Sequence, residues 1–223
     1  MKYELVLLDI ETQRDFFCRG GRCYKNGATD VASRIYDLFK WVRAHDIPVM
    51  STVLRLRPGQ ISTLCPTPHC IEGTKGERKL SRTILSRHID FGIRNSTDLP
   101  VDIFTQYRQV IFEQRCPDIL AHARPERLIS QLEAGTFVIC GAGLAEGVVE
   151  AAVGLRNRGF AVIVASDAVL DVGGDAPMAR LRAEVKGALF LTTRRIITTY
   201  PAAKRRKRRP RTRRRRRAYS VPK

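Results

Sequence analysis

Apolar and polar residues fall in blocks along this chain, and the length and spacing of the blocks separate strands from helices. Residues 3–10 hold the short run Leu5-Val6-Leu7-Leu8, the length of a buried strand. Similar runs predict strands over 47–56, 109–113, 136–140, 160–165 and 188–191. Between them the period lengthens. Val31, Ile35, Leu38, Phe39 and Val42 recur at helical spacing and predict an amphipathic helix over 29–45. Leu144, Val148, Ala151, Ala152 and Leu155 do the same over 144–158. Shorter helices are predicted over 80–88, 125–133 and 176–186. Residues 57–79 carry Pro58, Pro66, Pro68 and several glycines, and form a connection too long to be a simple turn.

Strands alternating with helices imply a three-layer α/β/α domain around a mostly parallel sheet of about six strands. Its crossovers should be right-handed. Ligands in such sheets sit beyond the carboxyl ends of the strands. The loops after Ile10, Glu113 and Cys140 should therefore meet at one site.

Composition divides the chain unevenly. Net charge is +18 over 223 residues, yet Lys204 to Lys223 alone holds thirteen Lys and Arg and no acid, leaving a body of about +5. A domain over 1–200 with a disordered Arg/Lys tail over 201–223 is expected. The tail residues Lys204, Arg205, Arg206, Lys207, Arg208, Arg209, Arg211, Arg213, Arg214, Arg215, Arg216 and Arg217 are expected to bind nucleic-acid phosphates without reading bases. No apolar run reaches the roughly 20 residues of a membrane span. The expected location is cytoplasmic, associated with the nucleoid in a bacterium or with the nucleus in a eukaryote.

Four segments, in order, carry a resemblance. They are Glu11-Thr12-Gln13-Arg14-Asp15-Phe16 after the first strand, Pro68-His69-Cys70-Ile71-Glu72-Gly73-Thr74-Lys75-Gly76, Val138-Ile139-Cys140-Gly141-Ala142-Gly143, and Val162-Ile163-Val164-Ala165-Ser166-Asp167-Ala168. Over residues 3–195 the chain resembles the isochorismatase-like cysteine hydrolases, which include the nicotinamidases. The resemblance implies covalent chemistry: a Cys attacks, an Asp takes its proton, and a Lys stabilises the developing charge. The matching positions here are Glu11 for the Asp, Gln114 for the Lys and Gly147 for the Cys. A glycine offers no nucleophile, and deleting one costs on the order of 10⁶ in turnover. The metal motif of the nicotinamidases is also missing, since Val53-Leu54-Arg55-Leu56 stands where an Asp-x-His pattern is expected. Gln13, Asp15, Phe16, Ala142 and Gly143 fall where the resemblance implies ligand contacts.

Three readings stay open. One is a catalytically impaired family member that keeps a small-molecule pocket and a nucleic-acid-binding tail. Another is a non-covalent hydrolase with Glu11 as general acid, as in the family members that cleave the vinyl ether of isochorismate and also carry Gly at the Cys position. The last is a structural or interaction protein stabilised by zinc. Cys18-x4-Cys23 and Cys65-x4-Cys70 share one spacing, with His69 beside the last, and could supply the ligands. Otherwise no cofactor is expected, and the six cysteines are expected as thiols or metal ligands rather than a disulfide set. Family members often form homo-oligomers, so self-association is expected.

Overall fold

The computed structural model describes residues 2–200. Seven strands form one sheet: β1 (Lys2–Ile10), β2 (Val49–Leu54), β3 (His88–Phe91), β4 (Gln109–Gln114), β5 (Glu133–Ala142), β6 (Ala161–Leu170) and β7 (Leu189–Leu191). Their order is β3-β4-β2-β1-β5-β6-β7, and every neighbouring pair is parallel. β1 lies at the centre, so its carboxyl end opens onto the ends of β2 and β5. All six residues of β2 are buried, as expected of a strand covered on both faces.

The period-2 alternation of β1 assigns its residues to two cores. Leu5 and Leu7 pack in a cluster with Ala32, Ile35, Leu38, Phe39 and Val42 of α2 (Ala28–His45) and Ile196 of α7 (Thr193–Thr199). Val6, Leu8 and Ile10 enter the opposite cluster. There they join residues of α3 (Ile103–Gln106), α4 (Ala123–Gln131), α5 (Val149–Asn157) and α6 (Ala176–Val185). The remaining helix, α1 (Arg14–Phe17), is one turn just past β1. Three layers result, as the alternation of elements implies.

The parallel three-layer architecture is as expected, with seven strands where about six are predicted, and two local expectations need correction. The additional strand, β3, pairs with β4 and begins at His88, where the helix predicted over 80–88 would end. That stretch instead contains a single 3-10 turn, Ser81–Thr83. Only four residues long and lying at the edge, β3 carries too little alternation to announce itself. Residues 144–148 form a π turn that leads into α5, not a regular first helical turn. The 201–223 tail, with Lys204 to Arg217, lies outside the described residues.

Candidate functional site

The chain leaves β1 through a strained residue. Glu11 has φ +50, in the left-handed region where non-glycine residues pay of order 1–3 kcal/mol. Its amide donates to Thr52 Oγ1 at 3.2 Å, and its carbonyl accepts from Gln13 N at 2.7 Å. Its side chain is fully buried. Gln114, at the end of β4, donates from Nε2 to Glu11 Oε1 at 3.3 Å. Glu11 Oε2 and Gln114 Oε1 are buried without a hydrogen-bond partner.

Burial dominates the acidity of Glu11 and pushes its pKa up to about 8. The Gln114 hydrogen bond opposes this, Glu146 adds to it, and Lys79 opposes it more weakly. A lysine at position 114 would place a cation where the neutral amide now stands and would favour the carboxylate. With Gln114, the carboxyl keeps its proton at neutral pH.

Gly147 sits in the π turn, buried, beside the residue that precedes Glu11. A Cβ built there would lie 3.1 Å from Ile10 Cγ2 and 3.4 Å from the Pro117 carbonyl oxygen. Its φ is outside the left-handed region, so the backbone does not demand glycine. Gly141 contrasts with it: φ is +130, and a Cβ would fall 1.8 Å from the Ile10 carbonyl oxygen. Position 147 thus has nearly enough room for a side chain and carries none.

Among the described residues, the buried thiols are not held in a reactive form. Cys140 is fully buried opposite Asp9 on β1, and burial holds its pKa far above the usual thiol range. Burial likewise raises Cys70 and, less completely, Cys116. None of these environments favours a thiolate at neutral pH.

The residues assigned to ligand contact divide into two groups. Gln13, Asp15 and Phe16 hold the fold together. Gln13 Nε2 donates to the carbonyls of Leu54 and Glu77, each at 2.7 Å, and its Oε1 accepts from Leu54 N at 2.8 Å. Asp15 accepts from Cys70 N at 2.7 Å and Arg22 N at 3.1 Å. Phe16 packs edge-on against His69. The Asp15 amide also donates to the Gly76 carbonyl, and a Cβ at Gly76 would collide with the Asp15 carboxylate. Two segments of the resemblance thus dock on each other. Ala142 and Gly143, by contrast, lie at the end of β5, where Gly143 turns at φ +78 under the Leu64 side chain.

Two further polar features lie at the site without a motif to mark them. Asp9 and Lys79 form a buried ion pair under the connection. Lys79 Nζ also donates to Thr12 Oγ1 at 2.6 Å, and Ser51 Oγ donates to Asp9 at 2.9 Å. Glu146, next to Gly147, has a raised pKa from burial and from Asp171, and its Oε2 is buried without a partner. An acid directly before Gly147 was the available signal for Glu146. Nothing local marks Lys79 as the partner of Asp9, 70 residues away.

The cysteine expectation is corrected in part. Cys23 and Cys65 are joined as a disulfide, with Cα atoms 6.4 Å apart, because the turn after Cys18 folds back against the connection. Cys18, Cys70, Cys116 and Cys140 are free. Of the five possible zinc ligands, Cys23, Cys65 and His69 come together, with donor atoms all within 4.8 Å of one another; Cys18 and Cys70 stand outside that group.

Known proteins agree with this architecture. The isochorismatase domain model matches residues 5–195. No curated protein matches the chain by sequence. An isochorismatase-like hydrolase from Alkaliphilus metalliredigens superposes with a TM-score of 0.66 at 16% identity, over 89% of this chain and 99% of its own. A pyrazinamidase of Pyrococcus horikoshii, solved in complex with zinc, gives 0.60 at 18%, over 85% and 99%. The MAR1 ribonuclease of Caenorhabditis elegans gives 0.59 at 15%, over 87% and 79%. At these identities the likeness is one of fold. With the family model spanning nearly the whole described domain, the chain belongs to the isochorismatase family.

Proposed function

We propose that this domain performs non-covalent, acid-assisted hydrolysis, with Glu11 as the proton donor and no thiol nucleophile. The observation that carries the reading is the buried Glu11 carboxyl, neutral at pH 7, with one oxygen held by Gln114 and the other without a partner. A thiol mechanism needs an ionised carboxylate as base and a sulfur to deprotonate. A general acid needs a carboxyl that still holds its proton at working pH and can release it. Gln114 in place of a cation favours the second arrangement. Glu11 would protonate the terminal vinyl carbon of an enol ether, water would add to the resulting oxocarbenium ion and return a proton to the carboxylate, and the hemiketal would then expel the alcohol, while Gln114 fixes the carboxyl's orientation. The bond class follows from the acid: an enol ether is open to attack by water once its vinyl carbon is protonated, and needs no nucleophilic side chain.

Isochorismate is the direct probe. Its hydrolysis should stay level below about pH 8 and fall above it, as Glu11 ionises. Glu11→Gln should abolish it, and blocking the free thiols should leave it unchanged. Loss of turnover on thiol alkylation, or full turnover in Glu11→Gln, would refute the acid mechanism.

A second reading concerns the tail. Thirteen cations without an acid favour a phosphate backbone as partner, and a ribonuclease of the same fold is a precedent for nucleic acid beside this architecture. Lys204 to Arg217 would tether the domain to RNA or DNA without base selection.

A further inference from the structure

A cation site in this chain has to be sought away from the stretch that the resemblance pointed to. Val53, Leu54 and Leu56 are buried apolar residues and offer no donors. Cys23, Cys65 and His69 do. All three are buried, and their donor atoms lie within 4.8 Å of one another. A tetrahedral zinc ion with ordinary Zn–S and Zn–N bonds spaces its donors roughly 3.5–3.8 Å apart, so small side-chain movements would bring the set to that spacing.

The imidazole is already oriented for a cation. His69 Nδ1 lies 2.7 Å from the Thr67 carbonyl oxygen, which can only accept, so Nδ1 carries the proton. In the neutral ring the lone pair is then on Nε2, which lies 3.0 Å from Ser62 Oγ. Metal-bound histidines are commonly fixed in this way, the second ring nitrogen donating to a carbonyl. Phe16 packs against the ring and helps hold its plane. Ser62 Oγ, beside Nε2, or a water would have to supply the fourth ligand. Backbone bonds fix the two cysteines independently: Cys23 N donates to the Asp15 carbonyl, and Cys65 pairs with Ser62 in an isolated bridge.

We propose that Cys23, Cys65 and His69 form a zinc-class metal site in the dithiol state of the chain, and that the Cys23–Cys65 disulfide is the oxidised, metal-free state of the same site. The two states use the same sulfurs and exclude each other. Loading with metal releases two thiol protons. Oxidation needs an external low-molecular-weight disulfide. One zinc-bound thiolate attacks it, forming a mixed disulfide and expelling one thiolate. The other cysteine then attacks the mixed disulfide, expelling the second thiolate, closing Cys23–Cys65 and releasing the cation. Two electrons pass from the cysteine pair to the small disulfide.

The test uses the full chain, reduced with a phosphine, freed of reductant without air, and titrated with Co(II). One equivalent should bind with sulfur-to-cobalt charge-transfer bands, and Zn(II) should displace it. With zinc bound, alkylation of Cys23 and Cys65 should slow at least about tenfold while exposed Cys116 reacts at its former rate. Oxidised glutathione should then release one equivalent of zinc as the disulfide closes. His69→Ala should still form the disulfide but bind cobalt at least about tenfold more weakly. No stoichiometric cobalt, protection of a different pair of cysteines, or wild-type affinity in His69→Ala would overturn the site. Alkylation mapping uses the wild-type chain, so the result stands even if a variant fails to fold. None of these readouts involves turnover, and they stand or fall apart from Glu11.

Discussion

Glu11 carries a sign opposite to that of most acids in folded proteins. A carboxyl whose pKa rises on folding stabilises the native state relative to its ionised form only while both states are protonated. That contribution is complete below about 4.5, and it is lost as pH rises through about 8, because the unfolded chain ionises first. The difference in unfolding free energy between wild type and Glu11→Gln should therefore shift against wild type by about 1.4 kcal/mol per pH unit across that window. Denaturant melts at pH 5 and pH 8 check it; a constant difference would mean that Glu11 ionises normally. Gly147 supports a second expectation. Its substitution by Ala meets only a side-chain methyl and a carbonyl at tight but tolerable distances. The helical preference of Ala over Gly, about 1 kcal/mol, offsets that crowding. Gly147→Ala should melt within a few degrees of wild type, whereas Gly141→Ala should not fold. The identities of Glu11, Gln114 and Gly147 could be read from motif order alone. Their electrostatics could not, because burial and an orphaned oxygen are properties of the packed chain.

At the scale of elements, the long connection after β2 is the least regular part of the domain and one of the most firmly tied. Gln13 bridges it to the end of β2, Asp15 receives its Cys70 amide, and Lys79 ends it against Asp9. Removing one partner of a buried ion pair leaves an uncompensated charge, at a cost of about 3–5 kcal/mol. Lys79→Ala should destabilise by that order, and the double variant Asp9→Asn/Lys79→Ala should recover part of it. Additive losses in the double-mutant cycle would mean that the pair is not coupled. Spacing announces elements that bury a long face: α2 follows from five apolar residues, and the π turn with α5 from five more. β3 and α7 are short and lie at the edges of their layers, so their period never repeats enough to separate strand from helix. The connection's anchors were hidden for another reason. They are polar contacts across 41 to 70 residues of sequence, which no local pattern encodes.

At the scale of the whole molecule, the central position of β1 decides where the candidate site lies. Flanked by β2 and β5, its carboxyl end gathers Glu11 from its own loop, Gln114 from β4 one strand further out, and the glycine turn after β5. That convergence follows from sheet order, and strand alternation foretold the layers without giving the order. Charge is the other property of the whole chain. Truncation after Ala203 removes thirteen of the forty Lys and Arg. Binding to mixed-sequence RNA or DNA should then fall away, and the slope of log affinity against log salt should flatten by roughly 0.7–0.9 for each phosphate that the shortened chain no longer neutralises. An unchanged slope would assign phosphate binding to the domain instead of the tail.

The left-handed backbone at Glu11 sets two demands against each other. Aspartate tolerates that conformation better than glutamate, by roughly 1 kcal/mol or less, so the shorter acid would rest more easily at the head of the loop. It would also withdraw the carboxyl by one methylene from the Gln114 amide. The extra carbon is thus an extension of reach maintained against conformational preference: Glu11→Asp is a substitution in which the chain would gain comfort and the acid would lose its guide.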